Sequence, residues 1–270
     1  KNKLIEELKR QTKKLALSLK VKGFLNIQFA IKNDEIFVIE VNPRASRTVP
    51  FVSKANGIPL AKIASKVMAG DKLSKYNLKY KTNKTYAVKE AVFPFNKFPN
   101  VDVLLGPEMK STGEVMGFDK DFGLAYAKSQ IAASNSLPTK GMAFLSVKNS
   151  HKIEVIDLAK KLLKLSFTLS GTSGTAEVLK KNGMKCKKIN KVSSGKPHIV
   201  DVLNGNKISL VINTGGGNSE SRIDDAKALR RATLVNKVPY CTNMSTAHAC
   251  ISAIESLKRK SIEVNSLQDN

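Results

Sequence analysis

Three residues, Gln28, Glu40 and Asn42, are spaced so that their oxygens can meet on one side of a β-hairpin. Residues 24–31 and 36–41 are β-branched and apolar, and the turn residues Asn33, Asp34 and Glu35 separate them, which is a hairpin signal. A loop centred on Asp34 sets Gln28 opposite Glu40 and Asn26 opposite Asn42. Side chains alternate along a strand, so Glu40 and Asn42 share a face. That face is expected to carry Ile36 and Val38 beside the ligands. An unpaired carboxylate among apolar neighbours is costly or shifts its pKa, which makes a cation its natural partner. Carboxylate and amide oxygens suit Mg²⁺ or Mn²⁺, ions that keep waters and bridge to substrate phosphates. Arg44 and Arg47 follow at once, and a guanidinium fork fits phosphate oxygens. An ordinary hairpin whose single inward Glu is satisfied by a neighbouring Lys or Arg accounts for the same spacing.

A second group of residues lies in the far half of the chain. The segments Ser-Gly-Thr-Ser-Gly-Thr at 170–175 and Asn-Thr-Gly-Gly-Gly-Asn at 213–218 each follow an apolar strand, as do residues 242–245. Small residues with accessible amides at a strand-to-helix turn suit a phosphate. Glycine-rich turn chemistry is the competing explanation for either segment alone. Two such segments in one sheet, with Lys152 and Lys191 to supply charge, favour the anion reading. No carboxylate–histidine pair stands out for catalysis there; Asp201 and His248 are the nearest candidates.

The elements that must hold these residues follow from periodicity. Residues 4–20 read as an amphipathic helix, with Leu4, Ile5, Leu8, Leu15 and Leu19 at helical spacing. Residues 51–69 give a short helix and a longer one from near Pro59, broken by the 56–59 turn and ended at Gly70. A loop over 71–85, a strand near 86–93 bearing Glu90, an extended stretch at 94–102, a strand around 111–117 and a helix over 119–134 come next. The polar, Pro- and Gly-containing segment 135–141 marks a domain boundary, giving units 1–137 and 138–270. Strands at 142–147, 166–170, 184–189, 207–213 and 238–242 then alternate with helices at 152–165, 175–182, 198–204, 222–236 and 245–257. That alternation means a small, doubly wound, mainly parallel sheet, whose ligands bind beyond the carboxyl ends of its strands.

The segment IEVNPRASRTVPFVSKANGIPLAKIASKVMAG resembles the end of an ATP-grasp domain, the second one in large chains of carbamoyl phosphate synthases. Residues 93–117 are similar to the stretch that follows it there. In the second half GTSGTAEVLKKNG, NKVSSGKPHIVD, VINTGGG, ALRRA and VPYCT resemble the methylglyoxal-synthase-like domain that closes the same chains. The overall fold implied is α/β: the C-terminal part of an antiparallel α+β ATP-grasp domain, then the doubly wound domain. Gln28, Glu40 and Asn42 match the family's metal ligands, Gln28 and Glu40 also its ATP-site residues, and Arg44 an arginine close to the phosphates. Lys152, Thr172, Thr175, Lys191 and Asn213 match contacts to a regulatory nucleotide, UMP or IMP in bacterial members. Glu90, Tyr240 and Thr242 match contacts to an amino-acid activator, ornithine. Gly215 departs from a family hydroxyl position, and SESRIDD replaces an arginine-rich turn, which puts the effector's identity in question. The resemblance implies ATP-dependent synthesis of carbamoyl phosphate from bicarbonate and glutamine-derived ammonia, for pyrimidine and arginine biosynthesis, with a glutaminase small subunit as partner in an oligomer.

Composition sets limits on the alternatives. The 270 residues carry 46 Lys and Arg against 22 Asp and Glu, a net charge of +24. The lysines are scattered rather than gathered into an aromatic-studded stripe, and acidic substrates and phosphates explain a positive field as well as nucleic acid does. No apolar run of about 18 residues spans a membrane. Cys186, Cys241 and Cys250 lie far apart with no CxxC pair, which suits a reducing cytoplasm. The chain opens within a helix, as a piece of a longer protein would, and such a piece is expected to bind an effector without turning over ATP. A free-standing regulatory nucleotide-binding module and a lyase resembling methylglyoxal synthase are the competing functions.

Overall fold

The structure, a computed structural model, describes residues 2–78, 85–93, 95, 108–214, 220–264 and 266. The extended reading of 94–102 (Phe95 apart) and the glycine positions 215–217 lie outside them. Packing divides the chain into two compact units, Lys1–Asn83 with Val264–Asn270, and Lys84–Glu263.

In the first unit helix α1 (Asn2–Ser18) leads into the antiparallel strands β1 (Asn26–Lys32) and β2 (Glu35–Asn42), followed by α2 (Thr48–Asn56) and α3 (Leu60–Met68). The hairpin turn is tighter than a loop centred on Asp34. Lys32 pairs with Glu35, leaving only Asn33 and Asp34 between the strands. Both have positive φ, 51° and 63°, the backbone of a two-residue turn that matches the strand twist. A bulge then restores the expected pairing. Phe29 pairs with Val38 and Gln28 with Glu40, so Ile39 is the extra residue. Gly57, at φ 66°, ends α2 in a left-handed cap whose N–H bonds the Ser53 carbonyl.

The second unit begins with an antiparallel pair, β3 (Tyr86–Val92) and β4 (Gly113–Asp119), and helix α4 (Phe122–Ala132). Five parallel strands follow: β5 (Gly141–Ser146), β6 (Phe167–Gly171), β7 (Cys186–Lys188), β8 (Leu210–Asn213) and β9 (Tyr240–Cys241). Their order in the sheet is β7-β6-β5-β8-β9. Between them run α5 (Glu154–Lys164), α6 (Ser173–Lys181), α7 (Ile199–Asn204) and α8 (Glu220–Val235), and α9 (Met244–Arg259) closes the unit. Helices cover both faces, which is why the strands are apolar throughout rather than alternating. On one face Leu145 and Ile212 pack with Leu158 and Leu162 of α5, Leu179 of α6 and Ile251 of α9. On the other Phe144 and Val211 pack with Ile199 and Leu203 of α7 and Leu229 of α8.

Helix α4 belongs physically to this unit. Asp121 caps it, accepting from the Leu124 N–H at 2.9 Å, and accepts from Ser256 Oγ of α9 at 2.7 Å. Two glycines let α4 come this close. A β-carbon on Gly123 would lie 2.5 Å from the Ser252 carbonyl oxygen of α9, and one on Gly117 of β4 would lie 1.9 Å from that of Ala125. Gly117→Ala is therefore expected to cost about 3 kcal/mol, the upper range for forced overpacking. Gly113→Ala on the same strand, with open space around it, should change stability by less than about 0.5 kcal/mol. Urea midpoints of the two variants measure the difference; equal midpoints would contradict the close approach.

Candidate functional site

The doubly wound sheet reverses direction between β5 and β8, and a cavity of about 230 Å³ opens there, above the carboxyl ends of β5, β6 and β8. Ser146, Lys148 and Asn149 line it from the end of β5, Thr172 from β6 and Asn213 from β8. Lys191 and Val192 contribute from the turn before α7, and Asp225 and Leu229 from α8. The hydroxyls form a connected group. Thr172 Oγ1 lies 3.4 Å from both Ser146 Oγ and Thr175 Oγ1, and Thr175 Oγ1 accepts from the Val147 N–H at 3.2 Å. Thr172 precedes α6 without bonding its first-turn amides, and that turn holds no acid, so the helix start stays open to an anion. Lys152 crosses this start. A β-carbon on Gly174 would lie 2.8 Å from its Nζ, so glycine leaves the ammonium its place. Phe144, Val192, Ile199 and Leu229 make the remaining wall apolar.

Thr172, Lys191 and Asn213 thus meet in one cavity, with Thr175 and Lys152 at its β6 edge. Tyr240 stands behind Asn213, its hydroxyl oxygen accepting from Asn213 Nδ2 at 3.1 Å. Burial pushes this phenol above its ordinary range, against the Asn213 hydrogen bond and the charge of Arg230. Thr242 is exposed and outside the lining. Asp225, which ends the SESRIDD run, is a wall residue to which that run assigned no role. Its carboxylate accepts from Ser193 N–H at 2.8 Å and Ser193 Oγ at 2.7 Å, a partner 32 positions away, so no local pattern could have shown it. The lyase candidates sit elsewhere. Asp201 is engaged with His198 in the cap of α7, and His248 lies 3.0 Å from Glu154.

The hairpin keeps the register Gln28–Glu40 and Asn26–Asn42, so these four residues share a face. One expectation about that face fails. Because Ile39 is bulged, Val38 pairs with Phe29 and Ile36 with Ile31, which puts both on the opposite face from Glu40. Gln28 and Glu40 are exposed, so apolar surroundings do not drive Glu40 toward a cation. What remains is the donor set itself: one carboxylate and amide oxygens, hard ligands that fit Mg²⁺ or Mn²⁺ when phosphate and water complete the shell. Among the described residues no cluster of three or more His, Cys, Asp or Glu could hold a metal. Arg44 is exposed, with Nη1 donating to the Ala45 carbonyl at 3.1 Å.

Glu90 of β3 is half-buried and accepts from Gln130 Nε2 of α4 at 2.9 Å. Burial raises its pKa and the Gln130 hydrogen bond opposes the rise. The folded protein therefore holds a proton on Glu90 more tightly than the unfolded chain, and ionised Glu90 costs stability above its raised pKa. Glu90→Gln retains a partner for Gln130 and cannot ionise. Its urea midpoint should exceed the parent's at about pH 8, and the gap should shrink as the pH falls toward the ordinary glutamate value of 4.5. A gap that is constant over that range would rule out burial as its cause.

Comparison with known proteins follows the same division. Residues 1–76 match the carbamoyl-phosphate synthase L chain ATP binding domain, and residues 154–242 the MGS-like domain. The chain is 48% identical to the carbamoyl phosphate synthase large chain, C-terminal section, of Aquifex aeolicus (strain VF5), over 98% of its own length and 53% of that protein. It is 50% identical to the carbamoyl phosphate synthase large chain of Mesorhizobium japonicum, covering 98% of itself and 23% of the relative. For the same protein of Methanoculleus marisnigri the values are 47%, 98% and 25%. The chain spans about half of the first relative and about a quarter of the others. Over nearly all of its length the chain is similar to the C-terminal part of carbamoyl phosphate synthase large chains.

Proposed function

We propose that this chain forms the C-terminal portion of a carbamoyl phosphate synthase large chain, joining part of the carbamate-phosphorylating ATP-grasp domain to an effector-binding domain. The observation that carries the reading is the pairing in one sequence of a Gln28–Glu40 hairpin face with a hydroxyl- and lysine-lined pocket at the sheet reversal. The domains meet at residues 137–138 in this reading. The pair β3–β4 and helix α4 then descend with the ATP-grasp domain while packing against α9. Bicarbonate, ATP and glutamine-derived ammonia are the substrates, the last supplied by a glutaminase small subunit, in a cytoplasmic oligomer that serves pyrimidine and arginine biosynthesis.

At the hairpin, Gln28, Glu40 and Asn42 would hold Mg²⁺ or Mn²⁺. The bound ion supplies charge neutralisation of the β- and γ-phosphate oxygens. Arg44, two positions beyond Asn42 and exposed, provides a guanidinium to orient a phosphate. In the pocket, the hydroxyls of Ser146, Thr172 and Thr175, the first amides of α6 and the Lys152 ammonium bind the phosphate of UMP or IMP. Phe144, Val192, Ile199 and Leu229 receive the apolar faces of its base. Glu90 is half-buried and accepts from the neutral amide of Gln130, so an ammonium such as that of ornithine would offset its burial. Tyr240 and Thr242 complete that activator site. Such a ligand regulates the distant site only if it contacts two states of the protein differently.

Calorimetry tests the effector reading on the chain itself. UMP or IMP should bind, and Thr172→Val with Lys152→Gln should weaken binding about tenfold each, the worth of one charge-assisted hydrogen bond. Absence of binding at millimolar nucleotide would refute it. In a full-length large chain, Glu40→Gln should slow ATP formation from carbamoyl phosphate and ADP about a hundredfold or more, with an unchanged urea midpoint because Glu40 is exposed. Activity within a few-fold of the parent would remove Glu40 from the phosphate site.

A further inference from the structure

Strand β7 ends the five-stranded sheet, and among the described residues it pairs with β6 alone. One bond shows which of its backbone groups that pairing uses. The Ile189 N–H donates to the Gly171 carbonyl at 2.9 Å. Backbone groups alternate in direction along a strand, so those of Lys187 also face β6, while those of Cys186 and Lys188 face away. Asn190, which alternates with them, shows the same outward direction. It bridges to His198, and its carbonyl accepts from the Ile199 N–H at 3.1 Å. For Cys186 and Lys188 no backbone partner on that side exists among the described residues. The chain itself thus closes the edge at Asn190 and leaves the part before it as an open row of donors and acceptors.

Charge decides what fits this edge. Between Val178 and Val200 the chain carries lysines and no acid. Lys185, Lys187 and Lys188 on the edge, and Lys180 and Lys181 at the end of α6, are all exposed. Among the described residues none of the five is in an ion pair. Burial pushes the Cys186 thiol up to about 11 and the Lys180 charge opposes it, which sets the end of α6 beside β7. Lysines along an edge repel an identical edge, so a second copy of this chain does not fit. They are point charges without guanidinium forks, and β7 has no aromatic residue, so nucleic acid gains neither bidentate contacts nor stacking. A duplex backbone also presents acceptors, whereas the edge has carbonyls that need donors. We propose that the β7 edge docks an extended acidic segment of another protein, which adds to the sheet as a further strand and sets its carboxylates against these lysines. None of the five lysines lines the cavity at the sheet reversal, so the inference does not rest on the nucleotide reading.

The test is amide hydrogen exchange, read by NMR on the 270-residue chain. The probe is a synthetic peptide of alternating glutamate and threonine, about ten residues long. In the free chain the Cys186 and Lys188 amides should exchange rapidly and those of Lys187 and Ile189 slowly. Saturating peptide should slow the first two by about tenfold or more and leave the others unchanged. Lys188→Pro removes an outward N–H that the ladder to β6 does not use. It should weaken peptide binding about tenfold or more by calorimetry, whereas Lys188→Gln, which removes the charge alone, should weaken it about threefold. Should the proline variant not fold, the exchange pattern of the parent decides alone. Equal losses in two folded variants would mean a charge contact without strand addition and overturn the proposal. Peptide that binds without protecting the two amides, or a free chain in which self-association already protects them, would also overturn it. So would a DNA duplex that displaces the peptide at equal phosphate and carboxylate concentrations, or no binding at about millimolar peptide in low salt.

Discussion

The position of β5 between β6 and β8 governs the cavity of the second unit. The chain builds outward from β5 through β6 to β7, then returns to the other side of β5 for β8 and β9. Helix α5, which follows β5, packs on one face of the sheet, while α8, which follows β8, packs on the other. Connections leaving neighbouring strands in opposite directions cannot fill the space above the strand ends. The cavity is therefore a consequence of strand order and not of any single residue. The side chains then set its character: hydroxyls and Lys152 on the β5–β6 side, apolar residues along the wall, and Asn213 with Tyr240 behind it on the β8 side.

The hairpin of the first unit shows how one residue can set a site. A two-residue turn at Asn33-Asp34 by itself would bring Glu40 opposite Ile27, since the pairs next to the turn run Lys32–Glu35 to Phe29–Val38. The bulge at Ile39 absorbs one position and turns Glu40 toward Gln28. It also separates the polar face from Ile36 and Val38, which leaves the oxygen donors open to solvent. Exposed side chains of this kind keep their hydration, so the fold itself does not demand a charge partner for Glu40.

Much of the second unit was legible in the sequence because its apolar strands and helical periods are written within windows of a few residues. The strand-to-helix turn at 170–175 was legible through its small residues and glycine. The hairpin register was reached with the right partners but the wrong turn: nothing local distinguishes a three-residue loop from a two-residue loop followed by a bulge. Asp225 was legible only as the end of the SESRIDD run, because its meaning lies in Ser193, which is near only after folding.

By itself, the sequence determined the kinds of elements, their order along the chain and the chemical character of the loops between them, since each of these depends on neighbours three or four positions away. The tertiary structure alone decided that α4 packs with α9 through Asp121 and Ser256, 135 positions apart, and which face of the hairpin Val38 occupies. It also decided which backbone groups of β7 face away from the sheet. These outcomes depend on close packing between surfaces that no local pattern brings together: a glycine at 117 or 123 has meaning only once another backbone approaches within a few ångströms.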